Sequence, residues 1–235
     1  MPFSGFSAET LTFFRQLRRN NNRDWFAARK SLFDEKVKVP MGEFVGSLNR
    51  ELAAIAPALV TDPSKAIYRI YRDTRFSADK TPFKTQIAAS FWNRSLDKHA
   101  GAGLYVAVSD KGVDIGGGTY MPGPEQILIV RNLIASRWVD FQRLTESRKV
   151  RDLAGELHGD GLTRIPKGFP ASHPAAEMLK KKQWYFYLTL DPSLALTGKI
   201  LVEVMKRFRA MLPFVEFINE PLLSQKKAQA RSILL

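Results

Sequence analysis

The hydrophobic period changes twice along the chain, and this limits the available folds more than any other feature. Up to residue 55, apolar residues recur every three or four positions: Leu11, Phe14 and Leu17, then Trp25, Phe26, Leu32 and Phe33, then Met41, Phe44, Leu48, Leu52 and Ile55. That spacing gathers them on one side of successive α-helices. Ser7 stands where a helix cap is expected, Asn20-Asn21-Asn22 where that helix ends, and Pro40 and Pro57 where the chain should break. Short β-branched and aromatic runs then follow at residues 67–71, 86–91, 104–108 and 113–116, with another at 184–190. Residues 103–109 and 113–120 flank Asp110-Lys111-Gly112 and predict a hairpin. Helical spacing returns after Pro122 and Pro124, around 149–157 up to Gly159 or Gly161, briefly after Pro174, and from Ile200 to Leu212, where Pro213 should close the last helix. Strands clustered between helical ends, without regular βαβ alternation, predict an α+β fold. Its central sheet is mainly antiparallel, with helices at the N-terminus, after the Gly-rich hairpin and at the C-terminus. The expected organisation is a single domain over residues 1–221 and a basic, flexible tail over residues 222–235.

Composition removes several classes of function. The 235 residues contain no Cys, which excludes disulfide scaffolds, thiolate metal sites and cysteine nucleophiles. His99, His158 and His173 are far apart in sequence and form no compact metal motif, so no metal is expected, and no residue pattern names a cofactor. The longest stretch free of Asp, Glu, Lys and Arg is the 11 residues 99–109, too short to span a membrane. The first ten residues carry no secretory signal pattern, so a soluble, cytoplasmic protein is expected. The formal net charge of +13 is uneven: residues 101–160 sum to −1 and residues 161–235 to +7.

Three segments carry the polar chemistry. Residues 69–84 hold five cations (Arg69, Arg72, Arg75, Lys80 and Lys84) against two carboxylates, Asp73 and Asp79. Arginine forks and lysine ammoniums suit phosphate or carboxylate, while the same composition can equally make a closed ion-pair network. Gly116-Gly117-Gly118 follows at a strand end, where glycine permits close approach of a ligand or simply a bulge. Arg131, two turns into the next helix, points back to this turn or into water. The third segment, residues 165–182, contains Lys167 and the pair His173-Pro174. There His173 is the histidine best placed for proton transfer, or else a cap.

The stretches NNNRDWF (20–26), YRIYRDTRFSADKTPFKT (68–85), GGGTYMP (116–122) and IPKGFPASHPAAEMLKKK (165–182) resemble a family of bacterial and fungal proteins catalogued as domain of unknown function 2461. The likeness covers about residues 6–221, and its second stretch is the most specific. Phe83 departs from the family pattern, which more often has Tyr there. The resemblance implies a single-domain α+β fold and carries no assigned activity or catalytic residue.

Two functions follow as expectations. The favoured one is a pocket for an anionic small molecule, with Arg69, Arg72, Arg75, Asp79, Lys80, Lys84, Gly117, Gly118, Arg131 and Lys167 as binding residues. His173 and Asp73 would be the candidate catalytic groups if a reaction follows binding. The alternative is a nucleic-acid-associated protein, drawn from the net charge and from aromatics beside cations at Tyr68-Arg69, Tyr71-Arg72 and Arg75-Phe76.

Overall fold

The computed structural model describes the backbone of residues 3–233 and the side chains of residues 3–229. Helices α1 (Ala8–Arg19), α2 (Arg23–Ala27), α3 (Lys30–Phe33), α4 (Val39–Ile55) and α5 (Pro63–Ala66) open the chain. Next come β1 (Ile87–Trp92), β2 (Gly103–Val108), β3 (Val113–Thr119), α6 (Pro124–Ser136), α7 (Trp138–Glu146) and α8 (Arg148–Ala154). The chain continues through β4 (Leu157–His158), α9 (Ala176–Lys180), β5 (Trp184–Leu190) and α10 (Lys199–Ile233). The strands form an antiparallel sheet in the order β1-β2-β3-β5-β4, and the fold is α+β. Among the described residues, no helix is long and apolar enough to cross a membrane.

Several elements depart from the sequence reading. Pro40 does not break the chain, because a π-turn over Asp34–Lys38 carries α3 into α4. A proline cannot donate to the carbonyl four residues earlier, and here that carbonyl, Lys36 O, is taken by the buried Thr10 hydroxyl at 2.5 Å. Ser7 holds the N-cap position of α1 without a side-chain cap bond. Residues 67–71 make only isolated bridges, Ile67 to Ala89 and Tyr71 to Phe83. The helix expected to reach Gly159 or Gly161 stops before Gly155, whose φ of 75° suits glycine, and β4 follows. The last helix passes through both Pro213 and Pro221 to Ile233. Within the segment expected as a tail, Leu222 is buried, Gln225 bonds Glu125 at 2.6 Å and Lys226 reaches Asp97 at 3.4 Å.

Strand alternation divides the sheet into a covered and an open face. On the covered face, Phe91, Leu104, Gly117 and Phe186 lie in adjacent register. Helix α10 packs there, with Phe208 against Phe91 at 5.9 Å and Phe214 against Phe186 at 5.3 Å between ring centroids. Gly117 belongs to this packing, since a Cβ on it would stand 2.8 Å from Met211 Sδ and 3.0 Å from Met211 Cβ. A side chain there would push α10 off the sheet. The opposite face carries the cleft described next.

Candidate functional site

Two registers build the floor of the open face. One runs Trp92, Gly103, Gly118, Tyr185 and His158 across β1, β2, β3, β5 and β4. The next runs Ser90, Tyr105, Gly116 and Tyr187. Glycines at 103, 116 and 118 leave bare backbone between aromatic side chains, and a cleft of ≈ 680 Å³ opens above it. Gly118 has φ of 134° and its missing Cβ would meet Trp184 O at 2.3 Å, so only glycine fits that strand end.

The rim comes from segments beyond the strands. Tyr68, Lys84 and Gln86 enter from the stretch before β1, Lys98 and His99 from the loop after it, and Tyr120 and Met121 from the turn after β3. Two asparagines fix the basic side of this rim. Asn21 donates to Phe83 O at 2.9 Å and accepts from Phe83 N at 3.1 Å, so it pairs with the backbone as a strand neighbour would. Phe83 is buried, and its ring stacks on Phe26 with centroids 4.2 Å apart. The NNNRDWF stretch thereby positions Lys84, the next residue along. Asn219 of α10 makes the equivalent two bonds to Ala102, the residue that ends the Lys98–His99 loop. His99 within that loop has φ of 71°, a left-handed conformation that costs a non-glycine residue roughly 1–2 kcal/mol.

Cations and rings interleave here. Lys84 Nζ lies 5.2 Å and Lys98 Nζ 4.5 Å from the Tyr68 ring centroid, and Lys98 Nζ also lies 4.8 Å from the Trp92 ring. Burial lowers the Lys84 pKa, helped by the positive charges of Arg69 and Lys98. Burial likewise lowers Lys98, and it lowers His99 together with the Lys98 charge. Tyr105 is pushed up by burial, with smaller contributions from Tyr187 and Asp114, so it remains a neutral hydroxyl. Its oxygen accepts from Gln86 Nε2 at 2.9 Å, which leaves its own proton to give. Beside it, the buried Ser90 hydroxyl has no hydrogen-bond partner among the described residues. The described residues lining the cleft include Lys84, Lys98, His99 and His158 and no Asp or Glu. Such a site has uncompensated positive charge, neutral hydroxyl donors and an aromatic, apolar body. Among the described residues, no group of three or more His, Asp or Glu side chains is arranged to hold a metal ion.

Of the residues singled out from sequence, Lys84, Gly117 and Gly118 border this cleft. The other cations of the 69–84 block, and both its acids, do not line it. Residues 70–72 and 82–84 pair back to back, through Arg72 N to Pro82 O at 2.9 Å and Lys84 N to Ile70 O at 2.8 Å. They form the stem of a projecting finger. Within it Arg72 pairs with Asp79 and with the Thr81 hydroxyl, while Arg75 forks onto Asp73 at 3.0 and 2.8 Å. Lys80 donates to Thr74 O at 2.9 Å. Arg69 is exposed, as is Lys167 in the loop before α9. Arg131 is buried and donates to Lys181 O at 3.0 Å, tying α6 to the end of α9. His173 Nδ1 accepts from Ala175 N at 3.0 Å, as a cap does. His99 and His158, passed over in the sequence for His173 as the proton-transfer candidate, are the two histidines that line the cleft.

The chain matches the family described as "Conserved hypothetical protein (DUF2461)" over residues 9–217. It belongs to the DUF2461 family. No curated protein and no solved structure matches it. The matched region of this DUF2461 protein spans the Asn21 clamp, the cleft's lining residues and α10 as far as Phe217, while the Asn219 clamp lies two residues beyond it.

Proposed function

We propose that this DUF2461 protein binds an anionic small molecule in the open-face cleft, through Lys84, Lys98 and His99. One observation carries the reading: a cleft of ≈ 680 Å³ lined by two lysines and two histidines with no carboxylate among the described lining residues. Elsewhere in the molecule cations are repeatedly neutralised within the chain, as in Arg72–Asp79, Arg75–Asp73 and Arg137–Glu220. Partial desolvation without a counter-ion disfavours the charge of half-buried Lys84, and to a lesser degree that of the more exposed Lys98, and a bound anion would offset this. Arg72, Arg75 and Asp79 enter this reading as the framework of the finger beside the site. Isothermal titration with inorganic phosphate, acetate and larger phosphorylated and carboxylated metabolites tests it. Binding that is lost in Lys84→Met and Lys98→Met, and retained in Arg75→Ala, supports the cleft. Equal loss in Arg75→Ala would move the site to the finger.

A second reading has its own observation. Phe76, at the tip of the finger, is 96% exposed, and the Arg75 guanidinium lies 5.8 Å from its ring centroid. An exposed ring beside a cation suits stacking on a single-stranded nucleic acid. Salt-dependent binding of an oligonucleotide that disappears in Phe76→Ala would favour it.

A further inference from the structure

The cleft has a shape as well as a charge, and the shape comes from its glycines. Between Trp92 on β1 and Tyr185 on β5, the intervening positions on the same face are Gly103 and Gly118. Neighbouring strands are about 4.8 Å apart, so the two flanking rings arise roughly 14 Å from each other over a two-strand gap of bare peptide. Gly116 extends that gap into the next register, between Tyr105 and Tyr187. A floor without Cβ atoms is flat, and peptide planes offer a surface on which an aromatic face can lie at van der Waals distance. The walls are rings on either side: Tyr68 and Trp92 by the lysines, and Tyr185 beside Tyr120 (centroids 5.1 Å apart) and His158 (5.9 Å) at the other end. Tyr120 is 60% and Met121 70% exposed at the mouth, so the fold leaves much of these large apolar side chains uncovered. At the lysine end, the Ser90 hydroxyl lacks a partner among the described residues and Tyr105 retains a proton to donate.

We infer that the cleft takes an anion carrying a flat aromatic ring, with the ring over Gly103, Gly116 and Gly118 and the negative group at Lys84 and Lys98. This rests on the anion-binding reading and adds the ligand's body to it. A bicyclic ring about 7 Å long fits within two strand spacings, whereas a branched aliphatic group would leave the floor partly uncovered. The shared chemistry is met by a mononucleotide and by an aromatic carboxylate.

Calorimetric titration with matched probes separates these elements. The probes are AMP, adenosine, ribose 5-phosphate and inorganic phosphate, together with 2-naphthoate and octanoate. The expected result is that AMP or 2-naphthoate binds at least tenfold tighter than its ring-free counterpart, ribose 5-phosphate or octanoate. Preference for AMP over 2-naphthoate, or the reverse, identifies the source of the ring. Gly116→Ala provides a second test, because its Cβ would stand on the floor, 3.1 Å from Phe186 O, a tight contact that requires the neighbouring strand to give by a few tenths of an ångström. With unfolding monitored in parallel, it should weaken the ring-bearing probe tenfold or more and leave phosphate binding unchanged. Should Gly116→Ala not fold, Lys98→Met decides, weakening AMP strongly and adenosine little. Ring-free anions binding as tightly as their aromatic counterparts would overturn the flat-ring inference and leave the anion reading intact. Adenosine binding as tightly as AMP, or no binding by any probe, would overturn both.

Discussion

Asn219 and Ala102 exchange two buried hydrogen bonds, the side-chain amide donating at 2.9 Å and its oxygen accepting at 2.8 Å. The pair joins helix α10, on the covered side of the sheet, to the loop that brings Lys98 and His99 to the open side. Gly101 makes room for it, since a Cβ there would fall 2.4 Å from Asn219 Oδ1. Asn219→Ala would strand two buried backbone groups, each costing about 1–3 kcal/mol. The expected outcome is a loss of roughly 2 kcal/mol or more in urea unfolding, accompanied by weaker anion binding. Unchanged stability would mean that the loop finds its partners elsewhere.

The pH dependence of binding follows from the partly desolvated cations of the cleft. Lys84 and Lys98 have pKa values lowered from 10.5, so each loses its charge at a lower pH than an exposed lysine. For Lys84 the folded protein disfavours the charged form. This penalty is complete below the folded pKa and is relieved as pH rises towards 10.5. An anion offsets that penalty only while the ammonium exists. Affinity for a probe with a non-titrating charge, such as 2-naphthalenesulfonate, should therefore fall as pH rises through these lowered values, before pH 10.5 is reached. His99 is lowered from 6.5, so its added charge should strengthen binding only below that pH. Calorimetry across pH 5–11 checks both limbs, and no fall in affinity up to pH 11 would remove the lysines from the site.

How far the sequence reveals this molecule depends on the range of the physics involved. Hydrophobic period is local, so β1, β2, β3, β5 and most long helices were legible, including the hairpin through Asp110-Lys111-Gly112, whereas the two-residue β4 was not and residues 67–71 make only isolated bridges. The continuation of helix through Pro40 was not, because the carbonyl it frees is satisfied by Thr10, 26 residues before Lys36. The site was harder still. Its floor is a register phenomenon, placing Ser90, Tyr105, Gly116 and Tyr187 side by side although they come from four strands. The dense charge of residues 69–84 drew attention as a binding block, yet in the fold much of it pairs within itself. One signal did exist for the cleft: polar or aromatic residues and glycines alternate with core residues in β2 and β3, at 103, 105, 116 and 118.

The finger's charges make a separate prediction. Asp79 has its pKa lowered to about 2, mainly by the Thr81 N–H at 2.9 Å and next by Arg72. A depressed carboxylate contributes stability above its unfolded pKa of 3.8, lost as pH falls from there towards 2. Because the backbone donor ranks first, Arg72→Ala should raise the Asp79 pKa only part of the way to 3.8. An NMR titration of the Asp79 carboxyl measures this directly. Full recovery would show that Arg72 alone holds the charge. Arg72 and Asp79 lie at the surface, and the midpoint of global unfolding at pH 7 should hardly move.

Gly117 and Gly116 are chain neighbours that serve opposite faces, and substitution should separate them. The Cβ of Gly117→Ala would enter the contact with Met211 on α10, at 2.8 Å from Sδ and 3.0 Å from Cβ, inside the packed core. Overpacking of this kind typically costs about 1–3 kcal/mol. The flexible thioether can swing aside, but Met211 Cβ is fixed to the helix, so relief requires α10 to shift. In a Met211→Ala background, where the Sδ contact is gone, Gly117→Ala should cost less than in the native protein, in a double-mutant cycle read by urea unfolding. Ligand affinity should stay close to that of the native protein, whereas Gly116→Ala should reverse the pattern by weakening ring-bearing ligands at a smaller cost to stability. If Gly117→Ala instead abolished binding with its stability intact, the assignment of the two faces would be wrong.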